Sequence, residues 1–171
     1  MIIRPAREAD LPQILDIHNH AIRNLDAIWT EAEETLADRA AWLSDRNANG
    51  FAVLVAEENG AIVGHASYGT YRSRSGYNKT VEHSIYLREE AQGRGAGKAL
   101  MRALIDDAKA RGFHLMVAVI EAKNTSSIKF HERFGFEMAG MLPQAGFKHG
   151  KWLDQVNMYL LLNDDPAPQS E

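Results

Sequence analysis

A glycine-rich turn between an alternating segment and an amphipathic segment constrains the fold of this chain more than any other feature. The turn is residues 92–98 (QGRGAGK); residues 81–87 (VEHSIYL) alternate before it, and residues 99–111 have helical periodicity after it. Glycines let a backbone turn tightly and approach a ligand closely. The N–H groups of a helix that begins there point at negative charge. The order predicts a strand, an anion site and a helix, although an ordinary strand-to-helix turn has the same composition.

Two common nucleotide-binding loops do not fit the spacing of this turn. A Walker A loop requires G-x-x-x-x-G-K-[ST], whereas Gln92 stands at the first glycine position and Ala99 at the Ser or Thr position. A Rossmann fingerprint requires G-x-G-x-x-G after the first strand, whereas Lys98 stands at the last glycine position. The turn is therefore not predicted to hold a nucleoside triphosphate or a dinucleotide.

The periodicity of the whole chain predicts an α/β fold. Helical spacing predicts helices at 7–24, at 96–111, at 124–134 and between a Thr35 cap and a stop at 47–50. Alternating or apolar runs predict strands at 1–4, 51–57, 62–70, 81–87, 113–120, 136–142 and 152–162. Consecutive strands favour antiparallel pairing, and the stretch 81–120 favours one parallel crossover. We expect a mixed, mostly antiparallel central sheet with helices on both faces.

Length and composition limit the classes of function. The 171 residues fit a single domain over 1–162, followed by a polar tail, 163–171, that we expect to be disordered. The net charge of −4 does not favour nucleic acid, and the lack of cysteine excludes thiolate nucleophiles. No apolar run reaches the about 18 residues of a membrane helix, and the N-terminus has no signal-peptide core. We therefore expect a cytoplasmic protein with no membrane partner.

The histidines do not predict a metal site. His18 and His20 lie two positions apart, so on a helix they would face different sides. Since no third ligand is evident, no metal is expected.

Two motifs resemble those of the GCN5-related N-acetyltransferase (GNAT) family. Gln92-x-x-Gly95-x-Gly97 resembles the family's Q/R-x-x-G-x-G/A turn, and residues 124–136 (NTSSIKFHERFGF) resemble its N-x-x-[AS]-x-x-x-[YH]-x-x-x-G-F segment. The predicted element order is similar to the acyl-CoA N-acyltransferase fold across residues 1–162. The segments VEHSIYL, YRSRSGY and SIKFHERFGF look like the phosphinothricin and methionine sulfoximine acetyltransferase branch.

This resemblance implies direct transfer of the acetyl group of acetyl-CoA, as co-substrate, to the α-amine of a small amino-acid derivative. Methionine sulfoximine, methionine sulfone and phosphinothricin-like compounds are the acceptors of that branch; many inhibit glutamine synthetase, so a detoxification role is expected. The branch also implies a homodimer. The alternatives are another acceptor (a polyamine, an antibiotic or a protein N-terminus) and a non-catalytic acyl-CoA-binding module.

The resemblance also implies which residues hold acetyl-CoA. Backbone groups of Ile85, Tyr86 and Leu87 should pair with the pantetheine arm, and Asn124 should bond a pantetheine amide with Ser127 nearby. The pyrophosphate should lie in the turn formed by Gly93, Arg94, Gly95, Ala96, Gly97 and Lys98. Asn124 is also well suited to be a plain N-cap, and Arg94 and Lys98 to be solvated cations.

Glu82 and His131 are the candidate catalytic residues. An acceptor amine is mostly protonated at neutral pH and must lose a proton before it attacks. Alternation places Glu82 on one face of its strand with Ser84 and Tyr86, where it can act as the base; the alternatives are a solvated residue or a binder of the ammonium. His131 stands where many family members carry a tyrosine acid. It could instead hydrogen-bond the cofactor sulfur or be a buried histidine with satisfied hydrogen bonds.

The candidate substrate-binding residues lie in the loop before this strand. Arginine binds a carboxylate in bidentate fashion, so Arg72 or Arg74 suits an α-amino acid, with backbone donors from Ser75, Gly76 and Tyr77. This favours a carboxylated acceptor over a polycation, although a solvated loop would look the same. Trp29 and Thr30 are candidates for the pocket wall, with core packing as the alternative for Trp29.

Overall fold

The computed structural model describes residues 1–168, which form one sheet and four α-helices. The strands are β1 (Ile2–Pro5), β2 (Val53–Glu58), β3 (Ala61–Thr70), β4 (Thr80–Leu87), β5 (Leu115–Glu121), β6 (Glu137–Lys148) and β7 (Lys151–Leu161). The helices are α1 (Leu11–Asn24), α2 (Leu36–Ala48), α3 (Ala96–Ala110) and α4 (Thr125–Glu132). Single 3₁₀ turns lie at Glu8–Asp10, Ser75–Tyr77 and Glu89–Ala91.

The sheet has seven strands in the order β1-β2-β3-β4-β5-β7-β6. Every neighbouring pair is antiparallel except β4 and β5, which are parallel and joined by α3. The predicted mixed, mostly antiparallel α/β sheet is therefore confirmed.

Helices cover both faces of the sheet because the strands alternate. On β2, Leu54 and Ala56 belong to the core cluster that contains the buried side of α3. Val53 and Val55 point the other way and pack in the clusters of α1 and α2. This two-sided burial produces the apolar run that β2 shows in the sequence.

A split between β4 and β5 opens the sheet at its centre. Residues 80–82 of β4 pair with residues 115–117 of β5. Beyond that point β4 continues to Leu87 on β3 alone, while β5 stays paired with β7 along its length. The β5-facing backbone groups of the second half of β4 therefore face a cleft, and a backbone group left unpaired in this way needs a partner.

Two predicted boundaries were wrong. The first helix begins at Leu11 rather than residue 7, because Asp10 accepts a bond from the Arg7 N–H (2.8 Å) and pairs with Arg4 (2.7 Å), which holds residues 8–10 in a 3₁₀ turn. Strand β6 continues to Lys148 rather than ending at 142. It shifts register twice against β7, and such bulges interrupt the alternation by which a strand is recognised.

The chain stays bound to the rest of the domain just beyond β7. Asn163 donates to the carbonyl of Phe113 (2.9 Å) and lies 2.9 Å from the His114 ring. Residues 164–168 have no helix or strand. The predicted disordered tail extends to residues 169–171, which lie outside the described residues. Within residues 1–168, no helix is both long and apolar enough to cross a membrane.

Candidate active site

The glycine-rich turn has the backbone that an anion site requires. Gly93 and Gly95 have φ angles of +72° and +93°, which L-residues with side chains rarely adopt. A Cβ at either position would meet no atom of residues 1–168 within 4 Å, so both glycines border open space there. Gly95 is the N-cap of α3, and no side chain caps this end. The first N–H groups of α3 are thus available to a phosphate, and the turn fits a pyrophosphate.

Gly97 has a different role from the other two glycines of the motif. It is buried, and a Cβ there would lie 3.2 Å from Cδ1 of Leu87 and 3.7 Å from Cζ of Phe130. The missing side chain therefore lets α3 pack closely on β4 and α4. The predicted role of Gly97 in cofactor binding stays a prediction.

The two cations of the turn have different surroundings. Arg94 reaches Glu58 across the surface, with 3.1 Å between the guanidinium and the carboxylate. Lys98 is exposed and lines one concave surface with Gly95, Ala99, Arg102, Ala103 and Asp106. Lys98 can therefore bind a phosphate directly, whereas Arg94 would first have to break its ion pair with Glu58.

The second motif forms the N-terminus of α4. Oδ1 of Asn124 accepts bonds from the Ser127 N–H (3.1 Å) and the Ser126 hydroxyl (2.9 Å). Asn124 is thus an N-cap, one of the two roles that the sequence left open. Its role toward pantetheine, like that of Ser127, stays a prediction.

Glu82 lies at the point where β4 and β5 separate. It occupies the last paired position with Val117 of β5 and is opposite Gly69 of β3. Burial raises the pKa of the Glu82 carboxyl, and the positive charge of Arg46 on α2 partly opposes this increase. A half-buried carboxylate with a raised pKa is a stronger base than a solvated one, so Glu82 at the mouth of the cleft is suited to accept a proton.

Neutral aromatic side chains lie on the same face of the sheet as Glu82. Tyr86 lies between His18 and His65, with ring centroids 5.6 and 5.4 Å apart. Burial raises the pKa of Tyr86 to about 12 and lowers that of His65 to about 3. Both are uncharged at neutral pH, so neither ring contributes to the positive charge near Glu82.

His131 is buried and hydrogen-bonded on both ring nitrogens. Its Nδ1 lies 2.7 Å from the carbonyl oxygen of Ser127 and must donate the proton, because a carbonyl only accepts. In the neutral ring, Nε2 of His131 is then an acceptor, and the ring nitrogen 3.2 Å away, Nε2 of His83, must be the donor. Burial lowers the pKa of His131 and brings that of His83 to about 3, so both rings are neutral.

The predicted substrate loop is exposed. Arg72 lies over the rings of Tyr71 and Tyr77, at 5.2 and 5.7 Å. With Ser73, Arg74 and Tyr77 it lines one concave surface, and Ser75 and Gly76 form the adjoining 3₁₀ turn. The structure brings both arginines to one surface, where they can meet a carboxylate.

Trp29 packs on strand β6, and its role in a pocket wall stays a prediction. Its Nε1 donates to the carbonyl of Asp26 (2.8 Å), and its ring covers Gly146 of β6, where a Cβ would lie 2.3 Å from the ring. His18 and His20 instead contact Glu34 and Glu89, each at 3.2 Å. Over residues 1–168 there is no group of three or more His, Cys, Asp or Glu that could hold a metal ion.

Sequence reasoning missed two residues next to the candidate catalytic side chains. His83 contacts His131, but this contact spans 48 residues and has no local signal. Arg46 lies in the last turn of α2, and nothing in its local sequence indicates that it lies near Glu82. Their partners became visible only when the sheet was assembled.

Comparison with known proteins decides the family. The description "Acetyltransferase (GNAT) family" matches residues 14–136. The chain belongs to the GNAT family. It is an acetyl-CoA-dependent N-acetyltransferase.

Three GNAT proteins illustrate the similarity. An L-methionine sulfoximine/L-methionine sulfone acetyltransferase of Pseudomonas aeruginosa is 48% identical over 166 residues, 96% of this chain and 95% of the relative. A phosphinothricin acetyltransferase from Sinorhizobium meliloti, solved with acetyl-CoA, is 38% identical with a TM-score of 0.94 and coverage of 99% and 92%. A ribosomal-protein-alanine N-acetyltransferase from Brucella melitensis is 45% identical with a TM-score of 0.93 and coverage of 94% and 99%.

Proposed function

We propose that this GNAT enzyme acetylates the α-amine of a small amino-acid derivative of the methionine sulfoximine, methionine sulfone or phosphinothricin kind, which would give it a role in detoxification. The observation that carries the proposal is the 48% identity to the methionine sulfoximine/methionine sulfone enzyme, over 96% of this chain. The two arginines on the concave surface before β4 support it, because an α-amino acid presents a carboxylate and a polycation does not.

The proposed acetyl-CoA site consists of the cleft and the turn. The open edge of β4 at Ile85, Tyr86 and Leu87 offers backbone partners to the pantetheine arm, with Asn124 and Ser127 at the start of α4. The α3 N-terminus offers N–H groups to the pyrophosphate, and the positive φ angles of Gly93 and Gly95 support this assignment.

In the proposed reaction, Glu82 removes a proton from the acceptor ammonium. The free amine then attacks the thioester carbonyl, so that the N–C bond forms and the C–S bond breaks. CoA leaves as a thiolate, which takes up the second proton that the nitrogen loses as it becomes an amide. The raised pKa of Glu82 supports this step because it makes the carboxylate a stronger base than a solvated one. Water can carry the proton between the amine and Glu82.

The acid role of His131 stays a prediction, and the geometry favours the alternative. A neutral ring whose Nδ1–H serves Ser127 and whose Nε2 accepts from His83 has no proton directed at a leaving group. A thiolate is a tolerable leaving group, so the reaction does not require an acid at this position. We propose a structural role for His131.

A second acceptor is favoured by one specific observation. The relative from B. melitensis is named for the alanine of a ribosomal protein, and its identity to this chain is 45%. A peptide with an N-terminal alanine is therefore the alternative acceptor. It differs from the first class because a peptide has no α-carboxylate beside its amine.

A panel of amines separates these acceptors. Thiol release from acetyl-CoA and the mass of the acetylated product should be measured with methionine sulfoximine, methionine sulfone, phosphinothricin, spermidine and an Ala-starting peptide. We expect the highest kcat/KM for one of the first three. Acetylation of the peptide alone would move the function to protein N-termini, and thiol release with no acceptor acetylated would contradict both.

We also propose that the enzyme is a homodimer. Exposed apolar side chains on β6 and β7 support this, namely Met141, Leu142, Phe147 and Trp152. An apolar surface of this kind is typical of protein interfaces. Light scattering should give twice the mass of the chain, and Phe147→Glu should give the mass of one chain; a monomeric wild type would contradict the proposal.

A cytoplasmic location completes the proposal. It rests on the lack of cysteine in the sequence. Fractionation of cells that express the tagged chain should recover it with cytoplasmic markers, and recovery with membranes would contradict it.

A further inference from the structure

Arg46 of α2 packs directly against the strand position that faces Glu82. A Cβ on Gly69 would lie 2.4 Å from Cζ of Arg46 and 2.6 and 2.7 Å from its two terminal nitrogens. The guanidinium therefore lies flat on the backbone of β3 in space that only a glycine leaves free. Because Gly69 and Glu82 are partners in the β3–β4 ladder, this places the cation beside the carboxyl of the proposed base.

The charge of Arg46 is only weakly engaged by other groups. Its Nε is buried and has no hydrogen-bond partner among the described residues. Its Nη1 lies 3.3 Å from Asp45, whose side chain is 60% exposed and so is screened by solvent. Phe51 lies under the guanidinium at 5.9 Å.

The other titratable groups on this side of the sheet are neutral or paired. His18 of α1, His65 of β3 and Tyr86 of β4 are neutral rings held by burial. Arg39 of α2 is bound closely to Glu34 of the preceding loop. β5 contributes Val117 at the position opposite Glu82. Arg46 therefore supplies the net positive charge that acts on Glu82.

We propose that Arg46 is a positioning residue that keeps Glu82 ionised at the mouth of the cleft, and that glycine at position 69 is required so that the guanidinium can lie there. This inference rests on the proposed role of Glu82 as the base. Burial favours the protonated carboxyl, and a cation nearby favours the carboxylate. The balance would keep Glu82 free to accept a proton at neutral pH without losing the basicity that burial gives it.

The test is a direct titration of Glu82, which does not depend on turnover. The ¹³C resonance of the Glu82 carboxyl, assigned by its loss in Glu82→Gln, should be followed against pH in the free enzyme. Arg46→Gln should raise the titration midpoint by about one pH unit, because an opposite charge is removed. Gly69→Ala should shift it in the same direction, since the new Cβ displaces the guanidinium, and Arg46→Lys should restore most of the wild-type value.

The matched control is Arg23→Gln. Arg23 lies on α1 and pairs on the surface with Glu33 at 2.6 Å, so its loss changes the net charge equally but leaves the Glu82 face intact. This variant should keep the wild-type midpoint. The acid limb of kcat/KM should move with the NMR midpoint in the Arg46→Gln and Gly69→Ala variants.

Three outcomes would overturn the inference. One is an unchanged Glu82 midpoint in folded Arg46→Gln or, should that variant not fold, in Gly69→Ala. A shift as large in Arg23→Gln would indicate a net-charge effect, and a rise in KM alone would indicate that Arg46 binds the acceptor. If Glu82→Gln retains the acid limb and the rate, the base proposal fails instead, while the NMR midpoint still reports whether Arg46 acts on Glu82.

Discussion

Glu82 is the residue on which the proposed proton transfer depends. Glu82→Gln keeps the size of the side chain but cannot accept a proton, so kcat/KM at neutral pH should fall about 10²–10⁴-fold. Because burial raises the pKa of Glu82, wild-type activity should also decrease as pH falls through that value, and the variant should lose this limb. Initial rates across pH measure both effects. Glu8→Gln, at an exposed carboxyl, is the control. Wild-type turnover in Glu82→Gln would show that Glu82 is not the base.

His131 illustrates how a residue at a motif position can be structural. His131→Ala removes a hydrogen-bonded buried ring and leaves His83 without its partner, so the free energy of unfolding should fall by about 1–3 kcal/mol. Because we assign it no proton transfer, kcat should stay at the wild-type level. Urea denaturation and steady-state kinetics measure the two quantities.

Two further variants sharpen this prediction. Replacing both rings, in His83→Leu/His131→Leu, removes donor and acceptor together and should recover part of the lost stability. His20→Ala, at a more exposed histidine of α1, is the control. A large loss of kcat in folded His131→Ala would restore the acid role.

At the scale of elements, the contact of α3 with β4 and α4 depends on Gly97. A larger side chain there would overlap Leu87 and Phe130, so Gly97→Leu should lower the free energy of unfolding by about 1–3 kcal/mol. Gly76→Leu is the matched control, because a Cβ at Gly76 meets nothing within 4 Å. Thermal and urea denaturation measure the stability of the two variants. Equal stability would show that a larger side chain fits at Gly97 without overlap.

The elements themselves could be predicted from local patterns. All seven strands and four helices follow from periodicity, caps and glycine stops, and the turn at 92–98 follows from spacing. Two boundaries do not follow from periodicity. The hydrogen bonds of Asp10 move the start of α1 to Leu11, and the bulges of β6 hide its alternation beyond residue 142.

The contacts that tune the candidate site could not be predicted in this way. Alternation identified the face of Glu82, but it contains no information on which helix residue lies over Gly69 or which ring meets His83. These contacts join residues far apart in the chain and depend on the register of β3 with β4 and on how α2 and α4 pack. A periodic pattern specifies which side of an element is buried, not what lies against it.

At the scale of the whole molecule, two buried neutral histidines make stability depend on pH. His65 on one face of the sheet and His83 on the other have pKa values lowered to about 3 by burial, compared with 6.5 for a free histidine. Between these values the unfolded chain binds protons that the folded chain does not. The free energy of unfolding should therefore decrease as pH falls, by up to about 1.4 kcal/mol per pH unit for each ring.

Urea denaturation between about pH 7 and about pH 4 tests this dependence. The midpoint should decrease steadily on acidification, and the decrease should be shallower in His65→Leu, which removes one of the buried rings whose pKa is lowered. His20→Ala, which removes a more exposed ring, is the control. A midpoint that is constant over this range would mean that the buried rings take up protons in the folded protein. The burial of His65 with no hydrogen-bond partner among residues 1–168 argues against that result.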